Sequence, residues 1–499
     1  MSRFADLTEY ASWDATELAA HIAAGTLSAD EALDCSLAII EVVDPQINAF
    51  VELEEEIARQ AAADLGLGAE KRPLAGVPIA MKDCLGFVAG AKRYFGTRLS
   101  DGAKQPSDDE IVRRFRRLGL VPLGTTNVPE LSSSITTESL LHGPCHNPWH
   151  VDHSTGGSGG GAAAAIACGA VPIAYGNDSA GSIRIPASCC GLFGLKPSRG
   201  RVPTGPEFSE VWFGLGVQHV ITRSVRDSAS VLDGVEGLET GALYSAPDKP
   251  GLYTDAVNQD PGPLRIAVSN GSSNGIQIDS DCAQALSEAA ALLADLGHDV
   301  IERSPPFERA QMAEHIVTFL AVALADELPA TAAASGRNVS SETVEHCHLA
   351  LAERGRAMSA TKLSAALEYR NATARNFGAF MSEVDVLLTP TLAKAPVPLG
   401  YLNTNQQDLD DYLHKKLTYG AFTPLANLSG APSASVPLHW SPEGLPVGIM
   451  LTAAYGREDL LIGLSAQLER ARPWQHRIPP MHIAQHHCTT KRPDLREEP

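Results

Sequence analysis

Thr155-Gly-Gly-Ser-Gly-Gly-Gly161 opens onto Ala162-Ala-Ala-Ala-Ile166, and Val171-Pro-Ile-Ala-Tyr175 then runs into Gly176-Asn-Asp-Ser-Ala-Gly-Ser-Ile-Arg-Ile-Pro-Ala-Ser188. The first half predicts a glycine loop feeding a buried helix over 162–168. The second predicts a buried strand over 171–175, closed by a turn at 177–181. Residues 153–177 carry no Asp, Glu, Lys or Arg, which is long enough to cross a bilayer, but 156–177 hold seven glycines and Pro172. A spanning helix wants Leu, Ile and Phe, so the expectation is a helix packed behind a loop.

Outward from this stretch the pattern repeats. Residues 74–81 predict a short buried strand ending at Lys82-Asp83, 111–118 a helix and 121–124 the next strand. Further on come a strand at 264–268, an alanine-rich helix at 281–296, and strands at 384–388, 433–438 and 447–451 before a helix at 457–468. The first 70 residues read as helices, with capping-box spacings at Asp14-Ala-Thr-Glu17 and Ser28-Ala-Asp-Glu31. Strands alternating with helices predict an α/β fold, its sheet covered on both faces. The span from about 305 to 380 is helical almost throughout and has no Gly/Ser/Pro linker at either end. It is therefore an elaboration of one large domain over 1–475, followed by a polar, loosely held tail over 476–499.

Composition limits the function. Thirty-nine Lys and Arg face 59 Asp and Glu, a net charge of −20. That balance excludes a nucleic-acid surface and docking on an anionic membrane, both of which need clustered cations. Nine cysteines, an odd number without a C-x-x-C, and the adjacent Cys189-Cys190 indicate a reducing cytoplasm. The N-terminus shows no apolar signal region.

The glycine loop admits several chemistries. A phosphate cradle needs Lys and Ser/Thr after its last glycine, and Ala162-Ala163 stand there. Gly156-Gly-Ser158-Gly-Gly160 also fits a nucleophile elbow, but Asn147-Pro-Trp-His-Val-Asp-His-Ser154 is poor strand material to precede one. The Ser-Ala-Gly-Ser turn at 179–182 suits an oxyanion hole, because a tight turn after a strand aims consecutive N–H groups at one point. A serine nucleophile also needs a base. Lys82 ends an apolar run, where burial would lower its pKa toward neutrality.

Taken together, Gly76-Val-Pro-Ile-Ala-Met-Lys82-Asp83, Gly156-Gly-Ser158-Gly-Gly160, Asp178-Ser-Ala-Gly-Ser182-Ile-Arg184-Ile-Pro186 and Gly191-Leu-Phe-Gly-Leu-Lys-Pro-Ser-Arg-Gly200 resemble the amidase signature family. The likeness runs from about Asp14 to about Glu469 and includes Asn127-Val-Pro-Glu130, Arg223-Ser-Val-Arg-Asp227, Leu388-Thr-Pro-Thr391 and Asn427-Leu-Ser-Gly-Ala-Pro432. The resemblance implies that family's central mixed sheet and a serine amidase without metal or organic cofactor. It makes Ser182 the nucleophile, Ser158 a bridging serine after a cis peptide from Gly157, and Lys82 the base. The oxyanion would be held by the N–H groups of Ser179, Ala180, Gly181 and Ser182, with Asp178 and Arg184 paired to brace the turn. Two positions depart from the family pattern: Gly159 replaces a second serine in the loop, and Ala180 replaces a glycine in the turn.

The turn, with Pro437-Leu-His-Trp440, Gly444-Leu-Pro-Val-Gly448 and Ala454-Tyr-Gly-Arg-Glu-Asp-Leu-Leu461, looks like amidases related to 6-aminohexanoate-cyclic-dimer hydrolase. The expected partner is a small linear or cyclic amide, and a homodimer is compatible with the sequence. The pocket walls are expected from the helical block and the loops of the 400s. Other readings are a glutaminase-type subunit for tRNA-dependent amidation, a silent scaffold on the same fold, and ester or carbamate cleavage. Histidine and cysteine clusters at His142, Cys145, His146, His150 and His153, and at His482, His486, His487 and Cys488, have ligand-like spacing. The first is broken by prolines and the second has nothing nearby in sequence to bury it, so no metal site is assigned. Glu345-His-Cys-His348 reads as one partly buried helix face.

Overall fold

Ser28 starts the helix Ala29–Ile47 with a full capping box, its hydroxyl accepting from the Glu31 N–H while the Glu31 carboxylate accepts from the Ser28 N–H. Asp14 caps Ala15–Ala23 through the Glu17 N–H, and its carboxylate is also held by Arg226 at 2.5 and 2.8 Å. These local signals behave as the sequence predicts. The computed structural model describes residues 6–66 and 72–486, so part of the helical expectation for the first 70 residues lies outside them. Within them, Phe50–Leu53 is a strand rather than helix. It joins the sheet by antiparallel pairing with Val121–Thr126, a contact distant in sequence.

Eleven strands make one mixed sheet. Its order is Phe50–Leu53, Val121–Thr126, Pro78–Lys82, Ile173–Asp178, Val217–Thr222, Phe193–Lys196, Ser433–Trp440, Pro446–Ala453, Val386–Pro390, Arg265–Val268 and Asp299–Glu302. Pairing is parallel from Val121–Thr126 through Pro78–Lys82 to Ile173–Asp178, and among the last three strands. Between these lies an antiparallel middle, from Ile173–Asp178 to Val386–Pro390. Most strands near the centre are buried at every position, which requires cover on both faces. Sixteen α-helices among the described residues supply that cover.

The charge-free stretch at 153–177 divides into the end of a strand, the helix Gly160–Ala167 and the start of Ile173–Asp178, each too short to cross a bilayer. Arg309–Ser335 is long and apolar enough to do so, and half of its most apolar window is buried within the protein. It pairs with His346–Arg356 and Ala360–Met381 as the helical elaboration. The described part of the tail is not loose. His482 and Ile483 are buried and the Ile483 N–H donates to the Cys168 carbonyl, while Trp474, just before the tail, is buried and donates through Nε1 to the Arg223 carbonyl at 2.8 Å. Residues 487–499 lie outside the described residues.

Candidate active site

Two parallel strands, Pro78–Lys82 and Ile173–Asp178, end at the same edge of the sheet and bring Lys82 against Asn177. Lys82 is fully buried. Its ammonium nitrogen donates to Ser158 Oγ at 2.8 Å and to Asn177 Oδ1 at 2.6 Å. Neither partner is a carboxylate, and burial lowers its pKa to about 8. Asn177 in turn donates through Nδ2 to the Cys84 carbonyl at 2.8 Å, which fixes the amide's orientation. Behind the lysine, Arg93 bonds the Lys82 and Gly86 carbonyls, and the Asp83 carboxylate receives the Tyr94 and Gly96 N–H groups.

Ser158 follows a cis Gly157–Ser158 peptide, as the resemblance implies. The Gly159 N–H bonds the Ser182 carbonyl at 3.2 Å, joining the glycine loop to the serine turn. A Cβ at Gly159 would stand 2.8 Å from that carbonyl oxygen, so the loops meet as closely as they do because position 159 has no side chain. Ser158 and Ser182 line one cavity of about 480 Å³.

The turn is braced from below. Asp178 takes Arg184 Nε and Nη2, both at 2.9 Å, in a fully buried two-point pair. Burial alone would raise the Asp178 pKa, but the Arg184 guanidinium overturns that and holds it well below the usual carboxylate range. Asn427, quoted above only as part of a motif, donates to the Asp178 carbonyl and carboxylate and accepts from Arg184 at 2.6 Å. Thr423 donates to the Ala180 carbonyl at 2.6 Å.

One expected donor is already committed. The Gly181 N–H donates to Asp178 Oδ1 at 2.7 Å and points into the brace, so it is not free to hold an oxyanion. The N–H groups of Ser179, Ala180 and Ser182 have no protein acceptor among the described residues. Gly181 is needed for shape instead: its φ is +132°, and a Cβ there would lie 2.5 Å from Thr423 Oγ1.

The helical block contributes to the cavity as expected, through Ala323, Glu327 and Thr331 of Arg309–Ser335, whereas the 400s contribute Lys416 from the helix Leu409–Tyr419 rather than from a loop. The segment 207–213 was not anticipated. It lays Phe208, Trp212 and Phe213 along the wall, with Trp212 and Phe213 both at positive φ. Arg370 anchors the bend through the Phe213 carbonyl, and Trp212 Nε1 donates to Glu327 at 2.9 Å. No periodic or motif signal in 205–216 marks it as a wall.

Among the described residues, the clusters with ligand-like spacing are not gathered into a metal site. His146 bonds the Val151 carbonyl, Cys145 is fully buried, and His150 and His153 contact each other. His482 is buried, while His487 and Cys488 lie outside the described residues. Among the described residues, Glu130, Glu345 and His348 come close enough to share an ion. The two carboxylates already serve as hydrogen-bond acceptors: Glu130 accepts from Thr97, the Glu345 N–H and His348 Nδ1, and Glu345 accepts from the Leu140 N–H and Thr404, while His348 Nε2 is buried with no partner among the described residues. This group ties the helical block to the core.

Comparison with known proteins gives a consistent result. The Amidase family model matches residues 31–462. The chain is 36% identical over 481 residues to 6-aminohexanoate-cyclic-dimer hydrolase of Paenarthrobacter ureafaciens, covering 93% of this chain and 96% of that protein. It is also 36% identical to the putative amidase AmiB2 of Mycobacterium tuberculosis over 480 residues, 95% and 99% of the two chains. Among solved structures, 6-aminohexanoate cyclic dimer hydrolase with substrate superposes with a TM-score of 0.89 at 34% identity, covering 94% and 99%. A bacterial aryl acylamidase gives 0.82 at 27%, covering 93% and 96%.

Proposed function

This chain belongs to the amidase signature family and is an amide hydrolase, and from that premise we propose that it opens small cyclic amides of the 6-aminohexanoate kind through an acyl-enzyme on Ser182. The similarity to the cyclic-dimer hydrolases supports the substrate class. The observation that carries the mechanism is the 2.8 Å contact between buried Lys82 and Ser158, with no carboxylate among the lysine's hydrogen-bond partners. A lysine so placed loses its proton near neutral pH.

With Lys82 neutral, the contact reverses and the Ser158 hydroxyl donates to the amine. Ser158 then takes the Ser182 proton, and the Ser182 oxygen attacks the amide carbonyl. The N–H groups of Ala180 and Ser182, with Ser179, receive the oxyanion, where preorganised donors are worth most. The proton returns through Ser158 to the leaving nitrogen, and the C–N bond breaks. Water repeats the relay to release the acid. Asp178, Arg184 and Asn427 touch no reacting atom and hold the turn in shape. Eight cysteines among the described residues are free, Cys189 and Cys190 included, which supports a reducing cytoplasm as the protein's location.

The test is a product screen by mass spectrometry over glutamine, aliphatic and aryl amides, and linear and cyclic 6-aminohexanoate oligomers. Wild type is expected to open the cyclic dimer. Ser182→Ala should abolish turnover, and Lys82→Ala and Ser158→Ala should each cost several orders of magnitude. An active Ser182→Ala enzyme would overturn the mechanism, and cleavage confined to glutamine or aryl amides would overturn the substrate class.

A further inference from the structure

Opening a cyclic amide differs from cutting a linear one in a way that this cavity addresses. The leaving amine stays tethered to the acyl group, so the acyl-enzyme carries its own nucleophile. Unless that amine is held away from the ester, it attacks the carbonyl and closes the ring again, because a tethered nucleophile has a high effective concentration. Water must win this competition.

Resting on the cyclic-amide reading, we propose that Glu327 receives the freed amine and keeps it from the Ser182 ester while water attacks. Glu327 projects from Arg309–Ser335, a different element from the turn that carries Ser182, yet both line the same cavity. Trp212 Nε1 holds the carboxyl at 2.9 Å, which orients it and leaves the second oxygen for a ligand. Most of the surrounding wall is apolar, including Phe208, Val211 and Phe213, and suits a polymethylene chain between the two ends.

The other charged groups at the cavity are less suited. Glu210 lies 3.9 Å from Arg370, Asp326 is exposed, and Lys416 donates to the Ser133 carbonyl and repels an ammonium. Glu207 also lines the cavity, but among the described residues no hydrogen bond orients its carboxylate as Trp212 orients that of Glu327. Burial raises the Glu327 pKa to about 7, so near neutrality a share of the enzyme carries a proton there for the incoming amine. The step balances. The ring C–N bond breaks as the Ser182 ester forms, the relay leaves a neutral amine, and that amine takes the Glu327 proton to give an ammonium–carboxylate pair. Water then cleaves the ester, the proton of the new carboxylic acid replaces the one Glu327 gave up, and the product leaves as ammonium and carboxylate.

The methyl ester of the linear 6-aminohexanoate dimer acylates Ser182 with loss of methanol and reaches the same intermediate without ring opening. The measurement is the ratio of linear acid to cyclic dimer formed from it, a ratio internal to each enzyme. Wild type should give mainly acid. Glu327→Gln, which keeps an acceptor for Trp212 but no charge, should raise the cyclic share at least tenfold, and Glu327→Asp should restore most of the acid. Fluorophosphonate labelling of Ser182 and the melting temperature establish that each variant is folded. An unchanged ratio in a folded Glu327→Gln enzyme overturns the proposal while leaving the cyclic-amide reading intact. A wild type that cleaves linear amides but never opens the cyclic dimer overturns that reading, and this proposal with it.

Discussion

Lys82 and Asn177 set the pH behaviour of the site between them. The neutral amide accepts from Lys82 at 2.6 Å without favouring its charged form as a carboxylate would. Because burial holds the folded pKa down at about 8, the active neutral amine grows as pH rises through that value, so kcat/KM should climb from acid toward mildly alkaline pH. Asn177→Asp places a negative charge against the lysine and stabilises its ammonium. The acid limb of the profile is then expected to move up by one pH unit or more, with a rate loss of at least tenfold at pH 7. A pH–rate profile of the two enzymes checks this, and an unmoved limb would mean that Lys82 is not the titrating base. Lys82, Ser158 and Ser182 were singled out from the sequence because each stands in a motif of the family it resembles. Asn177 was not, since its role depends on which strand lies beside Pro78–Lys82.

The helical elaboration shows what elements add. Arg309–Ser335 and His346–Arg356 pack tightly at Gly355, where a Cβ would fall 2.0 Å from the Ala321 carbonyl oxygen. Gly355→Ala must push the helices apart. Overpacking of this kind costs about 1–3 kcal/mol, to be read from chemical denaturation. Arg309–Ser335 also carries Glu327 and Ala323, so the same change should raise KM for amide substrates more than it lowers kcat. Equal stability in the variant would show that the helices have room the geometry denies. The helical character of this block was plain from its periodicity. Its partners were not, because an amphipathic face specifies that it is buried without specifying against what.

At the scale of the whole molecule, residues 474–483 close over the N-terminal helices. Trp474 is held by Arg223, and Arg223 also bonds the Ala11 and Trp13 carbonyls, so the N-terminal helices, Val217–Thr222 and this segment share one buried corner. Removing residues 474–499 strips Trp474 and Ile483 from that corner. Losing one buried Trp alone costs about 3–5 kcal/mol, so the truncated protein should melt several degrees lower while the labelled Ser182 remains reactive below its melting temperature. A melting temperature equal to the full chain's would show that this docking contributes nothing. The polar composition of the tail hid the docking, since two apolar side chains are enough to anchor it.

The sequence by itself determined the α/β class and the helical character of the block, and its resemblance to a family pointed to the lysine and two serines. The first two follow from local periodicity and from capping, the third from several motifs matched as a set. Tertiary structure alone decided the antiparallel middle of the sheet, the strand at Phe50–Leu53, the cavity wall at 207–213 and the loss of the Gly181 N–H to Asp178. Each depends on contacts between segments or on the direction in which one hydrogen bond points. Neither is encoded in spacing along the chain, because pairing and donor direction are settled only when distant backbone groups compete for the same partners.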